Sequence, residues 1–188
     1  MNVRNYIKIG IALLVNIFVF NANVAQGQDE VFAVALETYT VSQEVEYSKE
    51  QKRQLHCMAE NIYYEAGKES LNGKIAVAQV VMNRVESGRF PEDPCKVIHQ
   101  KTKTANSTVC QFSWFCSKSL RSRPKNLTQW TESFAVAKDV LFSGTRLPNL
   151  SHAIYFHASS VYPNWKNTQK VAKIGNHIFY KEKTRYKI

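Results

Sequence analysis

The stretch GKIAVAQVVMNRVE, residues 73–86, determines the fold. Its apolar residues fall on nearly every side of a helix with 3.6 residues per turn, which is typical of a helix surrounded by other elements. Asn72 precedes the stretch and is predicted to be its N-cap, because an asparagine side chain accepts hydrogen bonds from the first free N–H groups of a helix. Asn83 and Arg84 interrupt the apolar band, so both need polar partners inside the protein.

Two further helices are predicted to flank this central helix. Apolar residues recur every three or four positions in residues 51–65, and the same spacing recurs in residues 129–143. The later helix is expected to have Thr128 as its N-cap, to turn Phe134 toward the core and to stop at Gly144.

The rest of the sequence predicts few regular elements. Residues 87–126 contain three prolines and many polar residues and are expected to be irregular. HAIYFHA, residues 152–158, alternates like a strand, and Gly175-Asn176 between two apolar runs is a two-residue hairpin signal. Since strands do not alternate with helices, the sequence predicts a mainly helical α+β fold: a helical core with a small C-terminal β-hairpin element.

The N-terminal residues predict export. Residues 1–27 begin with basic residues, continue with an apolar run over 9–20 and end in small residues, which is the pattern of a secretory signal peptide. The apolar run is shorter than the roughly 20 residues that span a bilayer as a helix. An uncleaved membrane anchor is the alternative. After cleavage, no stable membrane insertion is expected, and the protein is predicted to work in the periplasm, the cell wall or the extracellular space.

Charge is unevenly distributed along the 188 residues, whose formal net charge is +10. Residues 28–50 carry six acidic residues and one lysine, and are predicted to be an acidic tether. Residues 51–188 carry 22 Lys and Arg against nine Asp and Glu, and are predicted to form one domain. A basic domain indicates an anionic partner. Nucleic acid is one candidate, but an exported protein more often meets anionic wall or membrane surfaces, so no nucleic-acid partner is predicted.

All four cysteines follow the predicted signal peptide, at Cys57, Cys95, Cys110 and Cys116. An even count in an oxidising compartment predicts two disulfides, for which three pairings are possible. Cys110 and Cys116 are close in sequence, so we favour this pair together with Cys57–Cys95. A zinc site is disfavoured because the sequence has no Cys-x-x-Cys pair, and neither a metal nor another cofactor is predicted.

Glu65 lies at the end of the first predicted helix, next to aromatic and small residues. An acid held against aromatic rings loses water, which disfavours its ionised form and raises its pKa. Such a carboxyl is suited to act as a general acid in glycoside cleavage near neutral pH. Glu69 would share the same face if the helix continued. The alternative is that both are exposed acids at a helix end, paired with Lys68 or with an arginine.

Two segments have the composition of a sugar-binding surface: QFSWF, residues 111–115, and residues 155–165, which include two tyrosines, a histidine and a tryptophan. Aromatic faces stack on sugar rings, and Gln and Ser side chains hydrogen-bond hydroxyl or amide groups. Since Trp114 and Trp165 lie in polar, irregular segments, both are predicted to line a glycan cleft on either side of Glu65. Ordinary core packing is the alternative for both segments.

The run IYYEAGKESLNGKIAVAQVVMNRVESGRFPEDPCKVI, residues 62–98, resembles the core of the SleB/CwlJ-type cell-wall hydrolases, the family of spore-cortex lytic enzymes. The family's E-A-x-x-E element corresponds to Glu65 and Glu69, and its G-x-x-A-V-A-x-V-V-x-N-R-V helix corresponds to residues 73–85. CQFSWFC resembles the Q-F-S-W loop of members outside spore formers. The closing segment of the family is matched at Tyr155, Trp165, Ile174, Gly175, His177, Phe179 and Tyr180. The resemblance covers nearly all of residues 53–182.

This resemblance implies a helical core like that of lysozymes and lytic transglycosylases. It implies a lytic transglycosylase that cleaves peptidoglycan glycan strands between N-acetylmuramic acid and N-acetylglucosamine, with Glu65 as the catalytic acid. Gly67 departs from the family, because many members have arginine there. The candidate substrate-binding residues are Glu69, Gln111, Phe112, Ser113, Trp114, Tyr155, His157, Trp165 and His177. Muramidase-type hydrolysis of the same bond is one alternative, and a wall-binding accessory protein that does not cut is another. The expected partner is peptidoglycan, bound by a monomer.

Overall fold

A computed structural model describes residues 46–105, 107–122 and 125–183 of the chain. The predicted signal peptide and residues 28–45 of the predicted tether lie outside these residues. The fold belongs to the unit Tyr47–Ile188. In chain order its elements are α1 (Lys49–Ala66), α2 (Leu71–Glu86), α3 (Pro94–Ile98), β1 (Lys101–Lys103), β2 (Thr108–Cys110), α4 (Ser113–Cys116), α5 (Lys118–Arg121), α6 (Leu127–Phe142), a 3₁₀ turn (Pro148–Leu150), β3 (Tyr155–Ala158), β4 (Thr168–Ile174) and β5 (His177–Glu182).

Side-chain caps set where the long helices begin. The Ser70 hydroxyl caps α2 and the Asn126 amide oxygen caps α6, each accepting a hydrogen bond from the backbone N–H three residues on. The predicted caps, Asn72 and Thr128, are therefore wrong by two residues. The reason is local, because a second capping-type side chain lies just upstream of each and gains the first free N–H groups for the helix.

The α2 helix is buried on most sides, as predicted. One side packs with α1 and α6 in the main core. The other side, which includes Ala76 and Val80, packs with Phe179 of β5 in a second cluster. All three of these residues are fully buried. The central helix therefore joins the helical layer to the sheet.

Phe134 of α6 does not face the core, contrary to the prediction. That side chain remains 38 % exposed, and its ring lies 6.3 Å from the ring of Trp130. The buried stripe of α6 consists of Ser133, Val136, Ala137 and Val140. These positions are three and four residues apart, and Phe134 falls outside the stripe because of that spacing.

Residues 87–126 are more regular than predicted, since they contain α3, β1, β2, α4 and α5. Each of these elements has three to five residues, too few for a periodic pattern to show in the sequence. Both favoured disulfides are present. Cys57–Cys95 joins α1 to α3, and Cys110–Cys116 closes the loop that runs from β2 through α4.

The C-terminal strands form an antiparallel sheet in the order β3-β5-β4. The predicted hairpin turn is present between β4 and β5, where Gly175 has a φ of +53°, a conformation that favours glycine. The strand predicted over residues 152–158 is shorter than expected, because β3 begins only at Tyr155.

The buried polar side chains of α2 hold the chain segment that leads into β3. Gln79, Asn83 and Arg84 donate hydrogen bonds of 2.8–3.2 Å to backbone carbonyls of residues 147–154. Backbone carbonyls of an irregular, buried segment need such donors. The polar residues that interrupt the apolar band of α2 therefore fix the position of the sheet.

Candidate active site

Glu65 lies in the last turn of α1, where two open pockets meet. One pocket, of about 260 Å³, is here called the hairpin-side pocket. It is lined by Glu65, Arg84, Cys110, Gln111, Phe112, Ser113, Phe156, His157, Ala158 and His177. The other, of about 330 Å³, is called the helix-side pocket. It is lined by Tyr63, Tyr64, Glu65, Ala66, Gly67, Lys68, Glu69, Leu120 and Gln129. A chain-like ligand that occupied both pockets would pass over Glu65.

The carboxyl of Glu65 is partly buried, and burial raises its pKa to about 7, while the nearby Arg84 charge opposes this shift. Within the described part of the chain, no side chain or backbone N–H donates a hydrogen bond to Glu65. The carboxyl is therefore free to interact with a ligand and remains partly protonated at neutral pH. This geometry does not support the alternative of an exposed acid paired with Lys68.

Arg84 is a site residue that the sequence analysis identified only as a buried polar group. Its Nε donates to the carbonyl of Ile154 at 2.8 Å. With the Gln111 amide oriented so that its oxygen faces Arg84, that oxygen accepts from both Nη atoms at 3.1 Å. The guanidinium lies between the rings of Phe90 and Phe112, with its Cζ 5.2 and 5.4 Å from their centroids. Burial lowers its pKa to about 10, so it remains cationic beside Glu65.

Glu69 lies beyond the end of α1, so it does not share a helix face with Glu65. Its two carboxylate oxygens accept hydrogen bonds from the backbone N–H and the side-chain amide of Asn176, at 3.2 and 3.0 Å. A Cβ atom on Gly175 would approach the Glu69 carboxylate to 1.9 Å, so a larger residue there would displace this carboxylate. These bonds indicate that Glu69 orients the β4–β5 turn, and its contact with substrate remains a prediction.

The β4–β5 turn leads directly to His177, which is buried and lines the hairpin-side pocket. Burial lowers its pKa, which favours the neutral imidazole, although the Glu69 charge partly opposes this effect. The ring packs edge-on against Phe156 at 5.2 Å. Its buried Nδ1 has no hydrogen-bond partner among the described residues.

A cluster of rings extends from the hairpin-side pocket over the sheet. His157 lines the pocket, and its Nε2 lies 3.0 Å from the hydroxyl of Tyr180. Trp165 is 40 % exposed, and its ring lies 5.5–5.7 Å from the rings of Tyr155, His157 and Tyr180. Trp165 is therefore one ring removed from the pocket, with a face accessible to solvent.

Trp114 does not lie on the cleft surface, and this prediction is wrong. Its side chain is 2 % exposed, stacks on Tyr64 at 4.6 Å and donates from Nε1 to the Asn61 side chain at 3.1 Å. Phe112 lines the hairpin-side pocket but is only 3 % exposed, beneath the Arg84 guanidinium. In this disulfide-closed loop both rings are buried, and Gln111 and Ser113 remain exposed at the pocket.

Neither a metal site nor a membrane span is found in the ranges that the structure describes. No group of three or more His, Cys, Asp or Glu side chains there could hold a metal ion. No helix in those ranges is long and apolar enough to cross a bilayer.

The sequence matches the family model described as Cell Wall Hydrolase over residues 68–180. The structure is similar to the catalytic domain of the germination-specific lytic transglycosylase SleB from Bacillus anthracis, with a TM-score of 0.50 and 24 % sequence identity. The similarity covers 73 % of this chain and 98 % of that domain. It shows a shared fold and confirms the predicted α+β class with a mainly helical core. No curated protein sequence matches significantly.

Proposed function

This chain belongs to the cell wall hydrolase family and is therefore an enzyme that acts on peptidoglycan; from that premise we propose that Glu65 is its catalytic acid. The bond cleaved is the one between N-acetylmuramic acid and N-acetylglucosamine, and the reaction is that of a lytic transglycosylase. A partly protonated carboxyl with a pKa of about 7, placed where two pockets meet, is the observation that carries the proposal.

The chemistry uses Glu65 twice. Its protonated carboxyl donates a proton to the glycosidic oxygen as the bond to C1 of the muramoyl sugar breaks. The 6-hydroxyl of the same sugar attacks C1 and forms a 1,6-anhydro ring. The Glu65 carboxylate then takes the proton of that hydroxyl, so the acid is regenerated and no water is consumed.

The residues around the two pockets favour a scheme with one carboxylate. Most glycosidases use two carboxylates that flank the bond. Glu65 is the only acid among the residues of the hairpin-side pocket, and Glu69, the other acid of the helix-side pocket, is engaged by Asn176. The fixed charge of Arg84 favours the carboxylate form of Glu65 after proton transfer.

Substrate contacts are assigned to both walls of the hairpin-side pocket. Gln111 and Ser113 offer groups that bind hydroxyl and acetamido substituents, and His157 and His177 face them from the sheet. Trp165 is the candidate for stacking on a sugar ring outside the pocket. The enzyme is proposed to reach the wall by export and to act there as a monomer.

The test is digestion of purified sacculi by the wild-type enzyme and by Glu65→Gln, followed by mass spectrometry of the soluble products. We expect anhydro ends from the wild type and no products from Glu65→Gln, while that variant still binds sacculi. Glu92→Gln, which removes an exposed acid far along the chain, is the matched control and should cleave normally. Products heavier by one water would indicate muramidase-type hydrolysis, and near-normal cleavage by Glu65→Gln would exclude it as the acid.

A further inference from the structure

One segment of the chain has a strongly one-sided charge. Residues 94–131 contain seven Lys and Arg and no Asp or Glu, whereas acids are present on both sides of this segment. A one-sided charge over so long a segment produces a positive potential at the surface where its side chains emerge.

This segment builds one wall of the proposed cleft. Gln111 and Ser113 from it line the hairpin-side pocket, and Leu120 and Gln129 line the helix-side pocket. The opposite wall of the hairpin-side pocket comes from β3 and β5, with aromatic and imidazole side chains. The residues of this segment that line the pockets are uncharged, and its cations lie outside the pocket linings, including those on the neighbouring elements β1 and α5.

Two exposed cations of this wall lie beside one aromatic ring. Lys101 Nζ lies 5.0 Å and Arg121 Cζ lies 5.8 Å from the centroid of the Phe115 ring, and His99 stacks on the ring at 4.1 Å. Lys103 and Lys118 are exposed on the same short elements. We call Lys101, Lys103, Lys118 and Arg121 the cationic wall.

None of the four residues of the cationic wall makes an ion pair with another described residue. Two acids whose charges act on His99, beside the Phe115 ring, are already engaged, because Glu60 pairs with Lys125 and Asp93 pairs with Arg53. The positive charges of the wall are therefore available to a ligand.

We infer that the cationic wall binds the carboxylates of the peptide substituents on the glycan, which rests on the proposed function. The sugar backbone between those substituents carries amide and hydroxyl groups, and charge enters through carboxylates. Because the cations lie outside the pockets, on α5 and the β1–β2 hairpin, they orient the bound strand with its peptide substituents on that side. The enzyme is thereby selective for peptide-bearing glycan with free carboxylates.

The experiment compares two substrates and two charge-matched variants. The substrates are native sacculi and sacculi whose carboxylates have been converted chemically to neutral amides. The wall variant is Lys101→Gln/Lys103→Gln/Lys118→Gln/Arg121→Gln. The control variant is Lys49→Gln/Lys52→Gln/Lys138→Gln/Lys173→Gln, which removes the same number of exposed cations elsewhere.

On native sacculi below saturation, the wall variant should release product about tenfold more slowly than wild type at low salt, and the difference should shrink at high salt. Wild type and the control variant should prefer native over amidated sacculi by a similar factor, and the wall variant should show no preference. The smaller variant Lys101→Gln/Arg121→Gln, at the Phe115 ring, should lose roughly half of the effect on a logarithmic scale.

Equal cleavage of both substrates by wild type would overturn the inference, and so would a wall variant that keeps the preference. A wall variant that loses binding to anionic phospholipid vesicles but keeps the substrate preference would assign the wall to a membrane surface instead. Failure of the proposed function is a separate result, because it appears as cleavage of either substrate by Glu65→Gln.

Discussion

The two walls of the hairpin-side pocket are held in place by different means. The loop 110–116 is closed by a disulfide and anchored by two buried rings. The sheet is held by hydrogen bonds that its β4–β5 turn donates to Glu69, and by polar side chains of α2 that donate to the segment leading into β3. Both segments have the aromatic composition of a sugar-binding surface. Of Trp114 and Trp165, only Trp165, in the connection between β3 and β4, is partly exposed, so composition alone does not distinguish a binding surface from a core.

The largest expected effect concerns the buried tryptophan of the loop wall. Trp114→Ala should lower the free energy of unfolding by about 3–5 kcal/mol, because it leaves a cavity behind Tyr64 and removes the partner of Asn61. Chemical denaturation measures this change. Trp114→Phe keeps a ring on Tyr64 and should cost less than half as much. A change in Trp114→Ala below about 1 kcal/mol would mean that the ring is not part of the core.

The two disulfides should differ in their contribution to stability. Replacing Cys57 and Cys95 by alanine opens a loop with a separation of 38 residues, and a chain-entropy estimate gives a loss of about 4 kcal/mol. Replacing Cys110 and Cys116 opens a loop with a separation of six residues, and the same estimate gives about 2 kcal/mol.

Denaturation of the two double variants checks that order. The Cys110/Cys116 variant should lose more activity per kcal/mol of lost stability, because its loop forms a wall of the pocket. An equal loss of activity from both would show that the bridge does not position the wall.

The sheet wall should depend on the fit of the β4–β5 turn against Glu69. Gly175→Ala combines a positive φ with a clash against the Glu69 carboxylate, and should cost roughly 1–3 kcal/mol. Gly144→Ala is the matched control, since Gly144 also has a positive φ but nothing within 4 Å of its added Cβ.

Removing the Glu69 carboxylate separates the cost of the clash from the cost of the backbone strain in Gly175→Ala. Glu69→Ala in the Gly175→Ala background should recover part of the loss, whereas it should not improve Gly144→Ala. Both are measured by chemical denaturation. Equal costs for the two glycine variants would leave backbone strain as the whole effect.

The pH dependence of cleavage tests the role of Arg84, which is hydrogen-bonded to Gln111 of the loop wall. If the protonated form of Glu65 is the active acid, as proposed, cleavage should fall as the pH rises through about 7. Removing the Arg84 charge, as in Arg84→Met, should move this fall to higher pH, because that charge favours the carboxylate. Arg84→Lys keeps a charge and should move it less. A pH profile of initial rates is the measurement, and an unchanged profile in Arg84→Met would contradict the assignment.

Ionisation of Glu65 should also change the free energy of unfolding with pH, in a direction that its raised pKa determines. The folded-state pKa of Glu65 lies above the ordinary value of 4.5, so the folded protein binds this proton more tightly than the unfolded chain. Ionisation therefore destabilises the fold increasingly as the pH rises from about 4.5 to about 7. Glu65→Gln should raise the free energy of unfolding at pH 8 and change it little at pH 4. The opposite order would show that the carboxylate is stabilised by the fold.

The sequence predicts the parts of this molecule that follow from local pattern. The apolar band of α2, the Gly175-Asn176 turn and the position of Glu65 at a helix end are all visible in neighbouring residues. Arg84 could be identified only as a buried charge, because its partners Ile154 and Gln111 are distant in sequence. The contact of Glu69 with the β4–β5 turn could not be predicted from neighbouring residues either, since its partner Asn176 lies 107 residues away.

The error at Trp114 has a physical reason. The segment around the loop is irregular and rich in polar residues, which favours exposure, but within the loop Phe112 and Trp114 are buried while Gln111 and Ser113 are exposed. Ring burial is then decided by what packs behind the loop, and Tyr64 and Asn61 of α1 supply that surface. Trp165 lies against rings of β3 and β5 but stays 40 % exposed, and its contact with the glycan remains a prediction.

The smallest expected effect on stability, and the clearest effect on binding, belongs to Trp165. Because 40 % of this residue is exposed, Trp165→Ala should change the free energy of unfolding by less than about 1 kcal/mol. If its accessible face stacks on a sugar ring, binding to sacculi should weaken roughly fivefold, the scale of one aromatic stacking contact. Tyr162→Ala is the matched control, since Tyr162 is 90 % exposed, three residues upstream and free of contacts with other rings of the described residues. Binding by inactive Glu65→Gln carrying each substitution separates affinity from turnover. If Trp165→Ala binds sacculi as well as Tyr162→Ala does, neither Trp114 nor Trp165 contacts the glycan. Both walls of the pocket would then recognise substrate through polar groups alone.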